Sequence, residues 1–597
     1  MEKLKDKIEK YINKTGVIRT PAYFIKELFN DIVNIFYALC KKIENNHKET
    51  LNLIFNDYIE FILKENLIGL TKVINLYYDN PPIIKYYDEH NNLIYHDGDE
   101  GYLNGDFVSS STNVNPLIKI IFFKHPIGIP EYFKGIHYKY LNVTKLSLMQ
   151  GNKNYLFEGS VIDELVINRD INCVSNGTGM FKDSDIKNIN DIKLNFTVSA
   201  ISDIFVNAKN LNSNNNITIL GRDGYSVNLS HIFKNSDIEK AYLDNNHFVK
   251  CSGKYSSGKG IFCNCLKLKE AFIDYKLSYT NIFDEMFENC YNLIKAETIN
   301  LHVNYINTKL NFNKTFNGCY NLKDLKISGI HYCNLDLYDT IIEPESINYI
   351  IENCYKNTYA QYKSVIKLNS FCYNEWSNIE VNPKFNEVKE RADLYNVMIS
   401  TEKPHGGIHI IDIYGRFINN DAIPYINDEL ILGIYISDGT HDFIMHTSNI
   451  DGAFRVGDVV NTNVPLATTL AEAVLDKNGS ENTDIIYQYY LENHINDEHY
   501  DRLAENLCKN FTFKNGNTGY LGSVGEWKII IDNKDTINQC LNALGKSSLD
   551  LSGDQCYIAS TNYSEDQHWG IFPQTRTIEP VNASYDSSRK VIPFTTY

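Results

Sequence analysis

Four histidines in the last third of the chain, His405, His409, His441 and His446, are the residues whose type could most readily assemble a metal centre. Imidazoles presented by one helix need a His-x-x-x-His spacing, and these four fall on separate predicted strands and loops. Hydrogen-bonded or solvated side chains are expected there, and no metal. Cys508, Cys540 and Cys556 could supply a redox pair, but they lie in predicted helix or strand segments, where a thiol packs as a small apolar group. Glycoside cleavage needs two convergent carboxylates. With 74 acidic residues some pair always exists, so their abundance singles out none. No catalytic residue and no cofactor follows from the sequence. The better candidates bind rather than react. Between Tyr563 and Arg589, the stretches Ser564-Glu565-Asp566-Gln567-His568 and Thr575-Arg576-Thr577 read as polar loops. Phe572 and Tyr585 could stack on a sugar face or fill a protein pocket, Asp566, Gln567 and Arg576 could give directional hydrogen bonds, and Tyr563 and His568 complete the set.

Such loops need a scaffold. The chain has 597 residues, 43% of them hydrophobic, enough for real cores in roughly three or four domains. Its net charge is −17 and its Lys and Arg are scattered without a basic stripe, which argues against nucleic acid as a partner. No stretch approaches the roughly 18 apolar residues of a membrane span, so no membrane insertion is expected. The opening MEKLKDKIEKYINKTG is followed by no apolar run, so Sec-type export is not expected either. Thirteen cysteines are dilute over this length and mostly fall inside a repeat, and they read as reduced core thiols.

From about residue 21 to 75 the pattern is helical. Ile25, Leu28, Ile32, Ile35 and Leu39 fall at a and d positions of a short heptad run, which reads either as an oligomeric anchor or as an ordinary amphipathic helix in a local bundle. Pro81 and Pro82 close the segment. From Ile83 to about Lys145, short apolar runs bounded by Gly and Pro read as a small β-rich domain.

The middle third repeats. An aromatic or aliphatic residue followed by a small one recurs in Leu156-Phe157-Glu158-Gly159-Ser160, Met180-Phe181-Lys182-Asp183-Ser184 and Ile232-Phe233-Lys234-Asn235-Ser236. Cysteine versions follow around Phe262, Met286-Phe287-Glu288-Asn289-Cys290, Thr315-Phe316-Asn317-Gly318-Cys319 and Ile350-Ile351-Glu352-Asn353-Cys354, with a degenerate copy at Ile204-Phe205. Each is followed by a short alternating segment such as Phe272-Ile273 or Leu325 and Ile327, giving one strand per repeat. A unit of this size cannot bury its own apolar face, so neighbours must stack, with the Phe spine and the Cys or Ser positions inside. The sequences FENCYNL and FNGCYNL resemble the BspA-like leucine-rich repeats of surface proteins and adhesins of gut microbes. That resemblance covers roughly Leu146 to Ser370 and implies a solenoid built on Phe262, Phe287, Phe316, Cys290 and Cys319.

Beyond Trp376 the pattern changes. Strands are expected at Ile408 to Tyr414 and Leu430 to Ile436, and helices at Leu466 to Leu475, ending near Asn478-Gly479, at Asp501 to Lys509 and at Lys534 to Leu544 with Gly545 as C-cap. The steps Gly519-Tyr520-Leu521 and Gly525-Glu526-Trp527, then Ala559-Ser560-Thr561-Asn562-Tyr563-Ser564 and Trp569, resemble the C-type-lectin-like domain of the sulfatase-modifying-factor and major-tropism-determinant type. This domain is found in phage fibres and gut bacterial surface proteins. Trp527 and Trp569 are expected in its core. Calcium-dependent C-type lectins use Glu-Pro-Asn, whereas Glu579-Pro580-Val581-Asn582 has one residue too many, so calcium is not expected.

Together these readings give a multi-domain α+β chain: a helical anchor over 1–80, a small β-rich linking domain over 81–145, a leucine-rich-repeat solenoid over 146–375, a linker over 376–404 and a C-type-lectin-like α+β recognition domain over 405–597. The two resemblances imply a structural attachment protein of a phage virion, of the crAss-like fibre type. It would be assembled in the host cytoplasm as a homo-oligomer such as a trimer, joined to other virion proteins through its N-terminal helices and to a host glycan or protein through its C-terminal domain. The alternatives are a cellular BspA-type adhesin and a formylglycine-generating or carbohydrate-active enzyme. The missing export signal favours the virion.

Overall fold

The computed structural model describes residues 58–63, 69–72, 84–87, 93–96, 106–109 and 118–122. It then describes residues 133–597 apart from 145–153, 168–169, 174–176, 190–191, 197–201, 211–216, 222–229, 244–258, 275–282, 300–308, 357–362, 402–405, 451–453, 455–463, 465, 494–501, 565–566 and 583–587. The chain is mixed α/β with several sheets. It divides into two compact units, one made of Met1–Ile127, Tyr138–Leu148 and Leu165–Asn168, the other of Gly128–His137, Met149–Glu164 and Arg169–Tyr597.

In the first unit, strand Tyr58–Leu63 lies between two antiparallel neighbours, Ile118–Phe122 and His137–Asn142, and Phe61 is fully buried with its ring edge-on to Tyr138. Ile84–Tyr87 pairs with Ile118–Phe122 and Leu93–His96, and Gly69–Lys72 pairs with Asp106–Ser109. The helical reading of 21–75 is therefore wrong at its C-terminal end, where residues 58–63 and 69–72 are strands. Tertiary pairing on both sides of Tyr58–Leu63 overrides a local helical pattern. The heptad positions Ile25 to Leu39 lie outside the described residues.

In the second unit the recurring phenylalanines form one column. Phe133, Phe157, Phe181, Phe205, Phe233, Phe262, Phe287 and Phe316 stack ring on ring, at 5.0 to 5.6 Å between centroids and within 15° of parallel. Backbone bonds run alongside: the amide of Phe157 donates to Met180, that of Phe262 to Met286 and that of Phe287 to Thr315. The small residue behind each ring is buried. Cys265, Cys290 and Cys319 each donate a thiol hydrogen bond to the carbonyl of the previous repeat's phenylalanine, Phe233, Phe262 and Phe287. Burial pushes the Cys265 thiol up to about 12 and raises those of Cys290 and Cys319 well above the usual range.

Each turn carries two residues with positive φ, four apart: Asp203 and Asn207, His231 and Asn235, Glu285 and Asn289, and Lys314 and Gly318 among them. Asparagine tolerates this backbone and also uses it. Its side chains form a ladder of amide bonds from Asn207 to Asp183, Asn235 to Asn207, Asn264 to Asn235 and Asn289 to Asn264, across repeats of 24 to 29 residues. The following strands pair in parallel: Lys240–Leu243, Glu270–Asp274, Lys295–Ile299 and Asp324–Ile327 in one sheet, and Leu310–Asn311, Cys333–Asp336, Ser364–Lys367 and Val397–Ser400 in another.

Two expectations fail here. The copy at Ile350 to Cys354 is not another turn but the end of helix Pro344–Glu352, which Pro344 can start without losing a needed N–H. The supposed linker 376–404 carries helix Phe385–Leu394 and strand Val397–Ser400, which extends the second parallel sheet, and Trp376 is fully buried.

The C-terminal region has one sheet in the order Phe417–Ile418, Gly407–Asp412, Ile431–Ser437, Asp442–Met445, Pro593–Thr596, Tyr520–Leu521, and a second in the order Thr577–Asn582, Gln567–Phe572, Cys556–Ser564, Arg589–Lys590. Helices Val524–Asp532 and Lys534–Ala543 contribute to their shared core, where Trp527 stacks on Tyr557 at 4.8 Å. That core is continuous with Tyr291 and Tyr320 of the repeats. The helix expected over Leu466 to Leu475 is a single turn, Leu470–Ala473. Gly479, read as a stop, instead begins helix Gly479–Asn493.

Candidate functional site

The sequence placed its contact residues on loops from Tyr563 to Arg589, and the structure corrects this: most of that segment is a three-stranded antiparallel ribbon. Tyr563 belongs to strand Cys556–Ser564 and lies edge-on to the buried Trp569, at 5.3 Å. Gln567 opens the next strand, half-buried, opposite Asn582. His568 is 2% exposed, with Nδ1 2.7 Å from the Asn562 side-chain oxygen, so it cannot serve as a surface contact. Phe572 closes that strand half-buried, and Arg576 sits in the following turn at φ 57°, its guanidinium on both carboxylate oxygens of Asp535 at 2.7 Å. Asp566 and Tyr585 lie outside the described residues. Tyr563 with Gln567 therefore marks one end of the hairpin, and Phe572 with Arg576 the other, about 17 Å apart along the strand. The structure does not bring them into one patch.

The strongest polar site in this region is one the sequence did not single out as such. Ser523-x-x-Glu526 is a capping box opening helix Val524–Asp532, whose start the helix reading missed. Glu526 is 1% exposed. Its Oε2 accepts from the Ser523 amide and hydroxyl at 2.8 and 3.0 Å, and its Oε1 from the Tyr520 hydroxyl at 2.6 Å, with His441 Nε2 at 3.0 Å. Glu526 raises the pKa of His441, chiefly through that hydrogen bond, and burial raises that of Tyr520 well above the usual range. Gly479 packs so closely that a Cβ there would collide with the Glu526 carboxylate. The arrangement is a fastening of strand, turn and two helices.

The three described histidines remain apart. His409 stacks on Phe417 at 4.5 Å and His446 bonds the Ser448 carbonyl, while burial lowers the pKa of both. His441 meets Glu526, and His405 lies outside the described residues. Among the described residues no group of three or more His, Cys, Asp or Glu could hold a metal, and no helix is long and apolar enough to cross a membrane. Cys508, Cys540 and Cys556 are buried in separate elements, and burial raises the thiol pKa of Cys508 and Cys540.

Where the repeats meet the C-terminal sheets, Arg416 is 1% exposed. Its Nε and Nη2 donate to Asp412 Oδ2 at 2.8 and 2.5 Å, and its Nη1 donates to the carbonyls of Tyr320 and Asp339 at 2.5 and 3.0 Å. The Tyr320 hydroxyl donates to the Phe417 carbonyl and accepts from the Asn419 amide; the Tyr338 hydroxyl donates to the Gly415 carbonyl. These contacts join repeat turns to the first C-terminal hairpin.

No protein-family profile matches the chain, and neither a curated protein nor a solved structure gives a significant match.

Proposed function

We propose that this chain is a non-enzymatic attachment protein of a phage virion, a tail or head fibre component. In this reading the stacked repeats are a leucine-rich-repeat solenoid and the C-terminal region is a C-type-lectin-like domain that contacts a host-surface glycan or protein. The observation that carries the reading is the fusion of the two: the core running through Tyr291 and Tyr320 into the C-terminal sheets, with Arg416 buried across the boundary. A stack welded to its terminal domain holds that domain in one orientation, which suits the presentation of a fixed contact face. Buried thiols in Cys265, Cys290 and Cys319 fit folding in a reducing host cytoplasm before assembly. The partners are other virion proteins toward the N-terminus, further copies of the chain, and the host receptor at the hairpin ends marked by Tyr563 with Gln567 or by Phe572 with Arg576. Mass spectrometry and immunogold labelling of particles purified from cultures carrying the gene test this. The chain should be a stoichiometric particle component, and its absence from them would overturn the reading.

A further inference from the structure

Beside the Arg416 junction lies a cleft of about 500 Å³. It opens at the carboxyl ends of three parallel strands, Leu310–Asn311, Cys333–Asp336 and Ser364–Lys367, which contribute the lining residues Phe312, Asp336 and Lys367. The volume is in the range of small-molecule sites, roughly 300–1,000 Å³.

The lining has two layers. Phe312, Phe316 and Leu335 are buried and form an apolar floor. Above them, Asn313, Asn317, Asn334 and Asp336 are exposed at the rim, and half-buried Tyr338 and Phe417 flank it from the repeats and from the C-terminal sheet. The charges balance, Lys314 and Lys367 against Asp336 and Asp339. Asp339 Oδ2 already accepts from the Gly318 amide at 2.8 Å, and Lys314 lies 3.5 Å from Glu288 outside the cleft.

We propose that this cleft is a binding site for a short neutral saccharide, separate from the attachment face. An apolar floor with aromatic flanks suits the C–H face of a sugar ring, and amides with ions of both signs suit hydroxyls, which both donate and accept. A phosphate or an ammonium ligand would meet as many like charges as opposite ones. A peptide anchor would need a deep unshared apolar hole, and here the floor is ringed by amides.

Ligand-observed saturation-transfer NMR on the full chain tests the proposal, with lactose, maltose, N,N′-diacetylchitobiose and methyl α-mannoside as probes. At least one should bind saturably below about 10 mM. Asn317→Ala and Asp336→Ser, both at the exposed rim, should each weaken it by about tenfold. The serine keeps an oxygen for the Tyr338 amide, which Asp336 now accepts. Lys528→Ala, paired with Asp532 on a distant helix, should bind as the parent does. The proposal is overturned if none of the four sugars binds, or if both rim variants, melting as the parent does, bind unchanged. Host adsorption plays no part in this readout, so failure of the attachment reading would remain distinct.

Discussion

Arg416 places its Nη1 2.5 Å from the carbonyl oxygen of Tyr320, a residue of the repeat stack 96 positions earlier in the chain. The rest of its guanidinium is neutralised by Asp412, which is fully buried. Removing one member of a buried pair leaves the other charge uncompensated, at a cost of about 3–5 kcal/mol. Arg416→Met should therefore split the melting of repeats and C-terminal domain into two calorimetric transitions, where a single one is expected of the parent from its continuous core. Adding Asp412→Leu should recover part of the loss. A single unshifted transition in R416M would mean the weld lies elsewhere.

The phenylalanine column makes a second prediction. Phe262→Ala should cost about 3–5 kcal/mol, because each ring fills the space between two others. Phe287→Asp and Phe316→Asp should abolish the cooperative transition altogether, since an unpaired carboxylate would enter a continuous apolar stack. Parent-like melting of both aspartate variants would contradict the stacking.

A third prediction concerns pH. His441 has its pKa raised in the folded chain by the Glu526 hydrogen bond, so its contribution is fully present below about pH 6.5 and fades as pH rises through the raised value. The melting-temperature gap between parent and His441→Gln should be widest near pH 6 and shrink toward pH 8. Glu526→Gln, which leaves one accepting oxygen for four donors, should cost about 1–3 kcal/mol. A gap that does not change with pH would mean that His441 titrates alike in the folded and unfolded chain, and a gap that widens as pH rises would mean that folding lowers its pKa; either would contradict the Glu526 contact.

The two ends of the C-terminal hairpin should separate in function. Tyr563→Ala with Gln567→Ala changes one end, and Phe572→Ala with Arg576→Ala the other. We expect one pair to reduce adsorption to host cells at least tenfold, with the other close to the parent. Equal, small effects from both would remove this ribbon from the contact surface.

What the sequence disclosed and what it hid follow from physical range. The Phe spine was legible because a stacked repeat must present the same residue at the same place in every copy, and the strand after each copy carried its own alternation. Helix Val524–Asp532 carries a local signal in the Ser523-x-x-Glu526 box. Helix Gly479–Asn493 does not: its glycine reads as a terminator, and only the Glu526 carboxylate packed against it shows why no Cβ fits. The hairpin from Tyr563 reads as loop in the sequence because Gln567–Phe572 is covered on both faces, His568 and Trp569 alike, so no period of two remains. Partners such as Arg416 and Tyr320, or the residues around the cleft, come together from distant segments with no local trace.

The attachment role itself is tested most directly by binding the purified, fluorescently labelled full chain to candidate host cells and measuring whether unlabelled chain blocks particle adsorption. Saturable binding, with adsorption falling in proportion to sites occupied, is the expected result. Absence of saturable binding to cells that the particles do adsorb to, or adsorption unaffected at full occupancy, would contradict it.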